Sequence, residues 1–248
     1  TALNRADLLQ RQGKYPPPPG ESEVLGLEMA GEVVEADESG KWRAGDRVMA
    51  LLAGGGQADF AVVHKDHAMA ITPNLTYEQA AAIPEVFLTA YQAMFYEGNL
   101  QSDNTILIHA GASGVGTAAI QMAKAKGIKV IVTCSAAKHQ ACLDLGAELA
   151  IDYRLANFEE EVRAFTAGQG VNMVLDFIGG PNFMNNIAVL SKGGELILIA
   201  MMGGAKVDGV NLYPILRNHI KISGTTLRSR SLEYKADLIT NFYDDFSM

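Results

Sequence analysis

The sequence predicts an α/β fold in which a doubly wound parallel sheet follows a smaller β-rich region. Three observations lead there. After Asn99, near-continuous β-branched runs alternate with helix-forming stretches. A glycine-rich turn, His109-Ala110-Gly111-Ala112-Ser113-Gly114-Val115-Gly116, joins one such run to a helix. Residues 1 to about 75 are instead rich in Gly, Pro and short β-type runs closed by turns.

Within the β-rich region, residues 31–35, 47–52 and 59–63 read as strands, and Gly54-Gly55-Gly56 is expected to fold the last two into a hairpin. The four prolines of Tyr15-Pro16-Pro17-Pro18-Pro19-Gly20 fix φ and remove donors, so this segment must be a loop. From Thr76, a capping residue, the pattern turns helical, and Pro84 should interrupt or kink the helix before residues 88–94 resume it. There follow a strand at 105–109, a helix at 115–126, a strand at 129–133, a helix at 136–145 and a strand-like run at 149–151. Then come a strand at 171–176, a helix near 182–190, a strand at 195–200 and a final strand at 221–227. Apolar runs separated by helices are what a parallel sheet covered on both faces requires. The chain starts without Met inside a patterned segment and stops after a charged, aromatic, helix-like run, which is expected of a fragment.

Composition narrows the function. Of the 248 residues, 48% are hydrophobic and 19% charged, enough for a sizeable core. A formal charge of −8 disfavours nucleic acid as a partner. Two cysteines, Cys134 and Cys142, provide neither a disulfide framework nor a four-cysteine zinc site, and fit a reducing, cytoplasmic compartment. No apolar run is long enough to span a membrane, and no signal peptide is legible.

A dinucleotide pyrophosphate needs backbone N–H groups at a helix N-terminus and an approach that side chains would block. Gly111, Gly114 and Gly116 stand at such a junction, with Ser113 in place of the usual middle glycine and a hydroxyl of its own to offer phosphate. This is the signature of a Rossmann domain. An acid ending the second strand would hold the ribose of NAD; here Ser135 and Lys138 stand instead, with Tyr153 after the next strand, so NADPH is expected. Val115, Ile178, Met201 and Gly203 follow strands on the carboxyl edge and are further candidate cofactor contacts.

Several motifs carry a family resemblance. Asn4-Arg5-Ala6-Asp7-Leu8, Gly26-Leu27-Glu28, Gly45-Asp46, Ala81-Ala82-Ile83-Pro84, Leu88-Thr89-Ala90, the 109–116 turn and Asp176-Phe177-Ile178-Gly179-Gly180 are its bearers. Together they resemble the zinc-independent, zeta-crystallin-like quinone oxidoreductases of the medium-chain dehydrogenase/reductase superfamily, and within them the tumour-suppressor-inducible branch. The resemblance implies a partial GroES-like domain over 1–86, a Rossmann domain over 87–230 and, over 231–248, the start of a return to the first domain, with both ends truncated. Zinc-dependent cousins hold a catalytic metal where this chain has Asn4, Leu27 and Glu85, with Glu28 beside the absent histidine, so no metal is expected. His64, His67, His109, His139 and His219 read as surface or capping residues.

By the same resemblance Asn4 and Thr89 lie near the nicotinamide, and Tyr15 projects over the substrate cleft. There Tyr15 either stacks on or protonates the acceptor, or merely packs beside its prolines. Arg228 and Arg230 read as solvated. The final strand implies a homodimer. The expected activity is zinc-independent, NADPH-dependent reduction of a small-molecule quinone. The alternatives are reduction of an enone and NADPH binding without turnover.

Overall fold

The computed structural model describes residues 1–246; Ser247 and Met248, the end of the expected return segment, lie outside the described residues. The chain divides into two compact units, residues 1–89 joined by the segment from 226 onward, and residues 90–225.

The first unit opens with α1 (Arg5–Arg11), whose start is fixed by Asp7: its carboxylate accepts the Asn4 N–H at 2.8 Å and the Gly26 N–H at 2.9 Å. An antiparallel sheet follows in the order β1 (Glu28–Glu32), β2 (Arg47–Leu51), β3 (Ala68–Ala70). The first strand lies three residues earlier than the expected 31–35, and just beyond it Val33 still exchanges hydrogen bonds with Asp46 and Gly45.

The hairpin expected around Gly54-Gly55-Gly56 does not form, and 59–63 is not a strand. The N–H groups of Gly55, Gly56 and Gln57 donate to the carbonyls of Val24, Gly26 and Leu25 instead. A Cβ on Gly56 would lie 2.5 Å from the Glu28 carbonyl oxygen, so close backbone approach, not turning, requires this glycine. Residues 59–63 contain the apolar run Phe60-Ala61-Val62-Val63 but have no ladder; Val62 is 99% exposed.

Thr76 caps α2 (Tyr77–Ala80) reciprocally with Gln79. Pro84 does not kink a helix but begins the next, α3 (Pro84–Tyr91), at a position where its missing N–H costs nothing.

The second unit alternates strictly. Its first half contains β4 (Thr105–Ile108), α4 (Gly114–Ala125), β5 (Lys129–Cys134), α5 (His139–Leu145), β6 (Leu149–Asp152) and α6 (Phe158–Phe165). Its second half contains β7 (Val171–Asp176), α7 (Phe183–Val189), β8 (Leu190–Leu198), α8 (Tyr213–Asn218) and β9 (Lys221–Gly224). The strands pair in parallel in the order β6-β5-β4-β7-β8-β9. This is the doubly wound Rossmann sheet, with its reversal between β4 and β7.

Leu107, Ile131, Val174 and Leu196 from four adjacent strands pack with Phe158, Val162 and Ile187 from α6 and α7 to form its core. Strand β8 starts at Leu190, where a helix was expected to end, and β9 stops three residues short of its expected end. The chain then returns to the first unit as α9 (Leu232–Phe246).

Candidate active site

In the second unit the glycine-rich turn links β4 to α4 at the carboxyl edge beside the sheet reversal. Ser113 is the N-cap of α4, its Oγ accepting the Gly116 N–H at 3.2 Å. The hydroxyl proton is still free to donate to a phosphate. A Cβ on Gly111 would lie 2.5 Å from the Val132 Cβ, and one on Gly116 would lie 2.6 Å from the carbonyl oxygens of Ala110 and Gly111. The first glycine therefore lets the turn lie on β5, and the second lets the helix lie on the turn. Ala110 adopts φ 50°, a left-handed conformation costing a non-glycine residue about 1–2 kcal/mol.

A buried polar chain runs beneath this turn. Asp176, at the end of β7, accepts the N–H groups of Ile178 (2.7 Å) and Gly179 (3.1 Å) and the Asn186 Nδ2 (3.1 Å). Since a carboxylate only accepts, Asn186 must present its amide nitrogen to it, which turns Oδ1 towards His109 Nε2 at 2.7 Å. Burial pushes the His109 pKa down, so the ring is neutral. Nε2 is then the donor, and Nδ1 accepts from the Thr133 hydroxyl at 2.9 Å. His109 is thus no surface or capping residue: it ties β4, β5, β7 and α7 together. His67 is buried too, bonded to the Leu232 carbonyl at 2.9 Å.

The remaining predicted cofactor contacts fall in two groups. Ser135, Lys138 and Tyr153 lie just beyond the carboxyl ends of β5 and β6, where Lys138 and Tyr153 are exposed. The acid absent from the second strand is found on the third: Asp152 pairs in register with Cys134 and accepts the N–H groups of Arg154 (3.0 Å) and Ala136 (3.3 Å). The sequence reading missed it. Ile178 and Gly203 are joined by a backbone hydrogen bond of 2.8 Å, and Met201 packs against Gly179, whose φ of 85° and lack of Cβ admit the sulfur.

In the first unit Asn4 meets the two glutamates. Its Nδ2 donates to Glu28 Oε1 at 2.6 Å, while the Glu85 N–H donates to Glu28 Oε2 at 2.9 Å. Burial pushes the Glu28 carboxyl up; burial, then repulsion by Glu28 and Asp7, pushes the half-buried Glu85 carboxyl to about 8, despite Arg228 and Lys235. Thr89 is partly buried near the end of α3.

Tyr15 has the Arg228 guanidinium 5.3 Å from its ring centroid. Its phenol is pushed up by burial and by Glu85, and pulled back by Arg228. Arg228 is 5% exposed, so the expectation of a solvated residue is corrected. It donates to the Ala53 carbonyl (2.7 Å), Gln10 Oε1 (2.8 Å) and the Tyr15 carbonyl (3.3 Å). Arg230 lies over the Tyr234 ring at 4.6 Å.

Comparison with known proteins agrees with this architecture. A family profile described as Zinc-binding dehydrogenase matches residues 114–242, and one described as Alcohol dehydrogenase GroES-like domain matches residues 1–73. The chain belongs to the zinc-binding dehydrogenase family. Its two units are accordingly the GroES-like and Rossmann parts of the medium-chain dehydrogenase/reductase fold.

Among relatives, the Synaptic vesicle membrane protein VAT-1 homolog of Danio rerio is 36% identical over 221 residues, covering 87% of this chain and 45% of that protein. The chain spans about half the length of the curated relatives it matches. Among solved structures, Escherichia coli quinone oxidoreductase complexed with NADPH gives a TM-score of 0.84 at 30% identity, covering 98% of this chain and 75% of that one. The CurK enoyl reductase gives 0.84 at 25% identity, covering 99% and 75%.

The family name implies zinc, and Asn4 and Leu27, which the resemblance places at ligand positions, are poor donors for it. Asn4 aims its amide hydrogens, not a lone pair, at a neighbouring carboxylate. Leu27 is apolar and buried and has no lone pair to offer a metal. No group of three His, Cys, Asp or Glu suited to a metal occurs among the described residues. No helix among them is long and apolar enough to cross a membrane.

Proposed function

We propose that this chain serves an NADPH-dependent, zinc-independent reduction of quinones. The observation that carries the reading is the hydrogen bond from Asn4 Nδ2 to Glu28, which makes Asn4 a donor where the resemblance puts a metal ligand. Without a Lewis acid to polarise a carbonyl, hydride transfer needs an acceptor that is already electron-poor.

When bound, NADPH supplies the hydride. Gly111, Ser113, Gly114, Val115 and Gly116 hold its pyrophosphate, and Ser135, Lys138 and Tyr153 its adenosine end with the extra phosphate. On the second unit Ile178, Met201 and Gly203 are further cofactor contacts; on the first unit Asn4 and Thr89 are the contacts assigned to the nicotinamide. Tyr15 stacks on the acceptor or protonates the oxygen that becomes anionic. The exposed edge strand β9 pairs with its copy in a homodimer, and the buried thiols of Cys134 and Cys142 suit a cytoplasmic setting.

Reduction of an enone is the second reading. It is favoured by the phenol of Tyr15 beside Arg228, because an enone needs a proton delivered to carbon as well as a hydride. The test is consumption of NADPH and of NADH against panels of ortho- and para-quinones and enones, with and without a zinc chelator. Oxidation of NADPH by quinones that survives chelation supports the reading. Loss of turnover on chelation overturns the metal-free part, and tight NADPH binding with no acceptor consumed overturns the catalytic part.

A further inference from the structure

We infer that Arg228 is the positioning residue for Tyr15, holding the aromatic ring and its loop so that the phenol meets the acceptor in one orientation. This rests on the reading that Tyr15 serves the acceptor. Between Tyr15 and Gly20 stand four prolines, none with an N–H, so the loop has almost no donors with which to pin itself. Its anchorage must come from donors elsewhere that reach its carbonyls and faces.

Arg228 supplies them. One planar guanidinium donates to the carbonyl of Tyr15, to the carbonyl of Ala53 in the glycine-rich loop, and to Gln10 on α1, while lying 5.3 Å from the Tyr15 ring centroid. Lys235 Nζ in turn donates to the Arg228 carbonyl at 2.9 Å, fixing the backbone from which the side chain springs. Arg228 is buried without an ion-pair partner among the described residues. An apolar residue of similar volume would leave the carbonyls of Ala53 and Tyr15 and Gln10 Oε1 without this donor. What only a guanidinium provides here is simultaneous stacking and three-way donation. The titratable and charged groups facing Tyr15 are Arg228 and Glu85, and those facing Glu85 are Glu28, Asp7, Arg228 and Lys235.

The experiment has a spectroscopic and a kinetic arm, both on the full chain. Tyrosine labelled with 13C at Cζ gives the Tyr15 resonance, assigned by its absence in Tyr15→Phe, and its titration is followed to high pH. Arg228→Gln is expected to move that titration upward, and Arg228→Lys to restore it in part. In turnover of an enone, Arg228→Gln is expected to lower kcat about ten-fold with little change in KM, and less than about two-fold when Tyr15 is already Phe.

Should Arg228→Gln fail to fold, Gln10→Ala removes one anchor of the guanidinium and is expected to show both effects, reduced in size. An unchanged Tyr15 titration in a folded Arg228 or Gln10 variant overturns the inference, as does an equal loss of kcat with and without the phenol. If no acceptor is reduced by the unsubstituted chain, the proposed function fails, while the titration still decides whether Arg228 governs Tyr15.

Discussion

Glu85→Gln replaces an acid that the fold keeps protonated with a neutral amide of the same shape. Glu85 sits in the first turn of α3, where the helix dipole favours an anion, yet burial and the carboxylates of Glu28 and Asp7 outweigh it and set the pKa at about 8. From the ordinary 4.5 up to about 8 the folded chain therefore binds a proton that the unfolded chain has released. Stability should fall as pH rises through that window, the reverse of the usual carboxylate.

At about 1.36 kcal/mol per pH unit the interval from 4.5 to about 8 sets a ceiling near 5 kcal/mol. Glu85 is only partly buried, and solvent screening brings the expected effect to about 1–3 kcal/mol. In a chain of this size that corresponds to roughly 2–12 °C in Tm. Thermal melts of the unsubstituted chain and Glu85→Gln at pH 4.5, 7 and 9 should converge at the lowest pH and separate above it, with the amide the more stable. A Glu85→Gln that is less stable at pH 9 would refute the reasoning, since it would mean that an ionised Glu85 is held by a cation.

Three further outcomes follow from the geometry. Asn186→Leu strips a donor from Asp176 and an acceptor from His109, both buried, and should cost about 2–4 kcal/mol by denaturant unfolding. Gly116→Ala, whose Cβ would meet two backbone oxygens at 2.6 Å, should weaken NADPH binding by at least about ten-fold in fluorescence titration, because the helix start must move off the turn. Lys138→Ala should raise Kd for NADPH by about five- to thirty-fold and leave NADH nearly unchanged. Equal effects on both cofactors would remove Lys138 from the phosphate site.

The Rossmann unit was largely legible because its signals are local. A β-branched run followed by Gly111, Gly114 and Gly116 specifies strand, turn and helix within a dozen residues, and Ser113 caps a helix that starts immediately after it. What was not legible depends on partners far away along the chain. His109 acquires its tautomer from residues 24 and 77 positions distant, and Arg228 is buried by contacts 175 to 218 positions distant. Nothing in Leu227-Arg228-Ser229 distinguishes such an arginine from a solvated one. Residues 59–63 show the opposite failure: the apolar run Phe60-Ala61-Val62-Val63 suits a strand, but a strand exists only where another backbone completes its ladder.

The acid cluster carries a consequence for the acceptor. Glu28 accepts a hydrogen bond at each oxygen, as an ionised carboxylate does, and Asp7 accepts two backbone N–H groups. Setting aside the exposed Glu21 and the exposed amino group of Thr1, these two negative charges face two positive ones, Arg228 and Lys235, so the group is neutral overall while Glu85 keeps its proton. Raising the pH through about 8 ionises Glu85 and leaves one net negative charge in a partly buried setting, where repulsion of an anion is poorly screened. An uncharged quinone should be indifferent to that change, whereas a sulfonated one should be progressively excluded. The ratio of kcat/KM for neutral over sulfonated naphthoquinone is therefore expected to rise about three- to ten-fold between pH 7 and 9 and to stay flat in Glu85→Gln. A ratio that rises equally in the amide variant would assign the effect to another group, and one that stays flat in both would separate Glu85 from the acceptor.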